Sequence, residues 1–223
     1  STSRENVPCF AGAYYDDQFA ERQREVEYVI KPATAFGLHL YDRGLAGNFY
    51  KNHQTFPKEY TEYLKPAVPY EKMGQIYRSY DVFLNIGCVT KSPTMFSRRV
   101  FEVLASGTPL ISAYSVGIEH LLGDVVHLSK SASDTKGFLK TLLKDKAAWQ
   151  KSSISSQTAV LKNHTYAHRL RTILEHCQVS VPERTRQRIT RFEKAALATT
   201  QEGINEILGR QADAKLPLSA ILS

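Results

Sequence analysis

Apolar positions along the chain fall into short runs separated by helix-spaced patterns. Val7–Ala11 is a buried-strand run ending at Gly12, and Asp17–Ile30 has the spacing of an amphipathic helix with Glu21, Arg22, Arg24 and Glu25 on its polar face. Gly37 breaks the pattern before a second strand at Leu38–Tyr41, and 42–66 is a long polar and aromatic connection. Ala67–Tyr70 reads as a short third strand and Glu71–Tyr80 as a helix. Asp81–Gly87 is apolar almost throughout, as strands covered on both faces are. A helix over Ser97–Ala105 follows, closed by Ser106-Gly107. Strands at Pro109–Ala113 and Val125–Leu128 flank a short helix near Ile118–Leu122, and three helices cover Asp134–Leu143, Lys146–Lys162 and Tyr166–Cys177. This alternation predicts an α/β fold, a Rossmann-like doubly wound parallel sheet over residues 1–178. Residues 179–223 lose the strands and become Arg-rich, which predicts a helical extension or a linker to a further module.

The 223 residues suffice for a sizeable core. No apolar run approaches the roughly 20 residues of a membrane span. Cys9, Cys88 and Cys177 are an odd number without C-x-x-C spacing, which argues against a disulfide framework or a zinc site and for a reducing compartment. The N-terminus lacks a signal-peptide layout, so either the protein is intracellular, with the cytoplasm as the expected location, or its start has been trimmed. Net charge is +7, but residues 1–124 are nearly balanced, and the excess lies late, at Lys130, Lys136, Lys140, Lys144, Lys146 and Lys151. That placement argues against nucleic acid as a partner. It leaves a solvated helix face, or a docking surface for a membrane or a partner protein.

The richest local signal is Lys91-Ser-Pro-Thr-Met-Phe-Ser-Arg-Arg-Val-Phe-Glu-Val-Leu-Ala-Ser-Gly-Thr-Pro-Leu-Ile111. It follows a buried strand and opens a helix, at the carboxyl end of the sheet where open α/β folds bind ligands. Amides around Met95–Arg98 (Met95, Phe96 and Ser97 included) are suited to an anionic phosphate, with Arg98 and Arg99 adding charge. Glu102 shares a helix face with either arginine. It could accept hydrogen bonds from a ribose diol, or form an ordinary surface pair. Arg98 and Arg99 point about 100° apart, so only one can look into a cleft.

That string, Gly117-Ile-Glu119, and His164-Thr-Tyr-Ala-His-Arg169 resemble the C-terminal domain of GT-B glycosyltransferases, and most closely the spore-maturation-type, CgeB-like branch of the glycosyl transferases group 1 clan. Phe10-Ala-Gly-Ala-Tyr-Tyr15 and Tyr41-Asp-Arg43 look like the opening of that domain. The resemblance implies a glycosyltransferase whose donor is a nucleotide sugar, expected to be a UDP-sugar, with no further cofactor and no metal. It assigns the ribose to Glu102 and the diphosphate to the preceding helix start, and it favours Arg99 over Arg98 for the phosphates. Thr94 stands where many relatives carry a first glutamate, and Gly12, Tyr14 and Arg22 belong to the expected donor site. The catalytic groups are not assigned. One Rossmann-like half implies an acceptor domain elsewhere in a longer chain, or a partner chain; a non-catalytic nucleotide- or sugar-binding module is the alternative. The seven histidines and the serines give no metal or nucleophile pattern. His164 and His168 are expected to flank or cap the last helix of the domain.

Overall fold

The computed structural model describes residues 4–14, 19–43, 55–198 and 200–208. Six parallel strands form one sheet: β1 (Glu5–Gly12), β2 (His39–Asp42), β3 (Leu64–Lys65), β4 (Tyr80–Asn85), β5 (Leu110–Ala113) and β6 (His127–Ser129), in the order β3-β2-β1-β4-β5-β6. The order reverses between β1 and β4, which is the point where doubly wound sheets leave a crevice at the carboxyl ends of their strands.

Both faces are covered because successive residues of each strand point to opposite sides. Cys9, Phe83 and Leu110 pack with α3 (Met73–Arg78), α4 (Arg99–Ala105), α5 (Val116–Leu122) and α7 (Lys146–Asn163), through Tyr77, Val100, Leu104, Ile118 and Val160. Phe10, Val82, Leu84 and Ile111 face the other layer. It is built by a helix that starts as α1 (Ala20–Glu25), widens into a π-helical turn at Val26–Ile30 and ends as α2 (Lys31–Ala33), together with α6 (Ala132–Lys144). Helix α7 buries Ser153 and Gln157 for a specific reason: Ser153 Oγ donates to Gly107 O (2.7 Å) and Gln157 Nε2 to Ala105 O (2.8 Å), satisfying carbonyls at the end of α4. Gly107 sits at φ 70°, the left-handed conformation that ends α4.

Helix α8 spans Tyr166–His176. The chain beyond it continues as α9 (Glu183–Ala196) and α10 (Gln201–Ile207), which bury Ala195, Ala196 and Ile204 against Leu161 of α7. His164 caps the end of α7, and the buried His168 bonds Thr165 through Nδ1 (2.7 Å). The six lysines of the late charge excess are all exposed.

Two expectations change. The third strand is Leu64–Lys65 and not Ala67–Tyr70, because Pro66 and Pro69 supply no amide proton for a ladder there. The supposed polar face of the first helix is solvated only in part: Arg24 is exposed, but Arg22 is 6% and Glu25 2% exposed. Of the long 42–66 connection, residues 44–54 lie outside the described residues, as do Tyr15 and Asp17.

Candidate functional site

A cleft of about 270 Å³ opens at the switch point between β1 and β4. Its floor is the ends of β1, β4 and β5, and its walls are α1, the β4–α4 segment and the start of α5. Arg22 reaches from α1 across the floor, Nη2 donating to Ala13 O (2.7 Å) and Nη1 to Ile86 O (3.1 Å), so one guanidinium joins the ends of the two strands that diverge. Glu25, one turn on, accepts the Gly87 amide through Oε2 at 2.6 Å. Glu21 accepts from Thr90 Oγ1 at 2.9 Å. Three consecutive polar contacts from α1 thus fix the segment that leads into α4.

Arg99 and Arg43 complete the charged lining. Arg99 lies over the Phe10 ring, 5.6 Å from its centroid, and burial pushes its guanidinium below its ordinary pKa. Gly12 makes room for it: a Cβ there would stand 3.4 Å from Arg99 Nη2 and 2.7 Å from the Phe10 ring. Buried Glu25 is pushed up to about 7, chiefly because its charge would be removed from water, against the opposing pull of the Gly87 amide and Arg22. Two buried atoms of the same lining, Asn85 Oδ1 and Ser115 Oγ, have no partner among the described residues. Buried polar atoms are rarely left so, and a bound polar ligand or water is their ordinary resolution.

The sequence-derived site residues divide. Arg22, Met95, Phe96, Ser97 and Arg99 line the cleft, and Gly12 abuts it through Arg99. Arg98 is 60% exposed, points away, and stands over the Tyr70 ring (4.8 Å). Glu102 is 4% exposed and does not line the cleft. Its carboxylate accepts from Tyr70 (2.7 Å) and Tyr77 (3.2 Å) and pairs with Arg98 Nε (3.1 Å). Burial, with this hydrogen bond second, raises the Tyr70 phenol to about 12. Thr94 is exposed, and its amide and that of Met95 turn to Ser92 Oγ (3.4 and 3.0 Å); the Arg99 amide turns to Ser97 Oγ (3.3 Å). Tyr14 packs on Phe56, ring centroids 5.2 Å apart.

Sequence pattern places Glu25 on a polar helix face and Asn85 inside a strand, and it gives no reading of Ser115. Arg43 was noticed only inside a motif. Each is polar at the end of an apolar strand or on the first helix after one, which is the available signal. Among the described residues no group of three or more His, Cys, Asp or Glu could hold a metal ion, and no helix is long and apolar enough to cross a membrane.

Among solved structures, the chain is similar to the glycosyltransferase SnogD from Streptomyces nogalater (12% identity, TM-score 0.43, covering 69% of this chain and 38% of that one). It is similar also to the kitacinnamycin glycotransferase (15%, 0.46, 81% and 45%) and to AviGT4, a glycosyltransferase involved in avilamycin A biosynthesis (15%, 0.44, 85% and 53%). The chain thus spans about half the length of these structures or less. No curated protein matches it significantly. Residues 22–175, well over half of the chain, match the family described as glycosyl transferase-like, running from the arginine that closes the cleft floor to the end of α8. With a parallel sheet of doubly wound order beneath a basic cleft, the chain belongs to the glycosyl transferase-like family.

Proposed function

We propose that this chain is the donor-binding half of a GT-B glycosyltransferase. It holds a nucleotide sugar, in first place a UDP-sugar, with the diphosphate between Arg22, Arg43 and Arg99. The acceptor, whether glycan, protein or lipid, is bound by a second domain or a partner chain. The observation that carries this reading is the convergence of three guanidinium groups on one cleft at the switch point, beside two orphaned buried oxygens. Arginine's planar fork suits phosphate oxygens, and a partly desolvated cleft strengthens the attraction. Arg22 is committed to two carbonyls and contributes charge, so Arg99 and Arg43 are the direct phosphate contacts.

Glu102 takes the ribose in this reading, at the edge of the cleft and not on its floor. Its two outer partners, Tyr70 and Arg98, are exposed and must swing aside for the ribose hydroxyls, while Tyr77 stays. The two ribose hydroxyls then replace one phenol donor and one guanidinium donor, and the buried carboxylate is never left unpaired.

Calorimetry with UDP and uridine tests the reading. Arg99→Gln removes charge-assisted bonds of about 1.5–3 kcal/mol, a roughly ten- to hundredfold loss for UDP, and leaves uridine nearly unaffected. Equal losses for both ligands would overturn the phosphate assignment.

A further inference from the structure

Glu25 is used neither by the phosphate contacts nor by the ribose contact, yet it is the one acidic group lining the cleft among the described residues. We infer that Glu25 is a donor-site residue that enters the complex in its protonated form, so that the diphosphate binds together with one proton. The inference rests on the proposed nucleotide-sugar site and concerns how that site is charged.

Glu25 is nearly inaccessible and lies in the lining with Arg22, Arg43 and Arg99. Its Oε2 is held by the Gly87 amide (2.6 Å), which fixes the carboxyl against the β4–α4 segment. Among the described residues no cation stands within 4 Å of it: the Arg22 fork is turned to Ala13 O and Ile86 O, and Arg99 lies on Phe10. Among the described residues the charged or titratable groups around it are Glu21 and Arg22 on its own helix, Tyr28 one turn on, Cys88 beside Arg22, Arg43 after β2, Arg99 on α4, and Tyr114 after β5. Among the described residues no histidine is part of the lining, and of those residues Glu25 is the one pushed to about 7.

Two consequences follow for a bound diphosphate. An ionised Glu25 would place a like charge against the phosphates inside a partly desolvated cleft, where repulsion is strong. A neutral Glu25 removes that repulsion and offers an O–H donor, as carboxylic acids kept neutral in apolar sites do. The free carboxyl is half protonated near pH 7, so the anion captures the protonated form and raises its pKa further.

The test is calorimetry on the full chain with UDP-, GDP- and dTDP-glucose, whose diphosphate diesters do not titrate near neutrality, in buffers of different ionisation enthalpy. The tightest of the three is carried forward. Affinity is expected to fall about tenfold from pH 6 to pH 8, with uptake of nearly one proton per ligand at pH 8 and almost none at pH 6. Glu25→Gln, which keeps an acceptor for Gly87, is expected to bind at all these pH values as the wild type does at pH 6, with no uptake. The wild-type proton count stands even if the variant fails to fold. Binding with a flat pH profile and no proton uptake overturns the role of Glu25 and leaves the donor site intact. A Glu25→Gln variant that keeps the wild-type pH profile overturns it too, by assigning the proton elsewhere. Absence of binding by all three ligands at every pH overturns the donor-site reading and this inference with it.

Discussion

Glu25→Gln gives a stability prediction that needs no ligand. The carboxyl titrates at about 7 in the folded chain against an ordinary value of 4.5, with burial as the main cause. Between those two values the folded state keeps a proton that the unfolded state has released. Wild-type stability contributed by this group is therefore fully present below about pH 4.5, declines as pH rises, and is lost above about 7. The gap corresponds to about 3 kcal/mol at 1.36 kcal/mol per unit. Gln cannot ionise and still accepts the Gly87 amide, so it escapes the decline. The variant should match the wild type near pH 4.5 and exceed it by about 2–3 kcal/mol at pH 8. Urea unfolding of both proteins at the two pH values, with equal m-values, measures the difference directly, and contributions of other groups cancel. A stability difference that is the same at both pH values would refute the reasoning, because it would mean that the carboxyl has the same affinity for its proton in both states.

Three further outcomes are expected. Gly12→Ala places a methyl 2.7 and 2.9 Å from atoms of the fully buried Phe10 ring, so it should lose about 1–3 kcal/mol in thermal or urea unfolding. Arg22→Met leaves the Ala13 and Ile86 carbonyls without their donor, and should cost about 2–4 kcal/mol in the same assays and weaken UDP binding by at least tenfold. Tyr70→Phe removes one of the two hydroxyl donors of Glu102 and should leave folding nearly intact, while UDP binding, followed by calorimetry, tightens a few-fold because one competitor for the carboxylate is gone.

The sheet was legible because its strands are carried by hydrophobic runs that nothing else explains. Tyr80–Asn85 buries five of its six side chains, and strand-helix alternation leaves a parallel sheet as the consistent outcome. The choice between Arg98 and Arg99 was also approachable: one helical residue separates a cleft-facing arginine from one lying on Tyr70. Two things were not legible. A helix face turned into a polar cleft carries the same residues as one turned to water, so Arg22 and Glu25 cannot be told from the exposed Arg24 by pattern. The π-helical turn at Val26–Ile30 compounds this by shifting the register of the wheel between the cleft half and the core half of the helix. Glu102 was expected in the open cleft, but its cover comes from Tyr70, more than thirty residues earlier, a contact that local spacing cannot encode.

The most direct test is a crystal structure of the chain with UDP bound. Phosphate oxygens within hydrogen-bond distance of the Arg99 and Arg43 guanidinium groups, at the ends of β1 and β4 and beside Asn85 and Ser115, are the predicted result, with Tyr70 and Arg98 withdrawn from Glu102 and the ribose hydroxyls in their place. Phosphates bound elsewhere on the chain, with the three arginines and Glu102 unchanged, would contradict it.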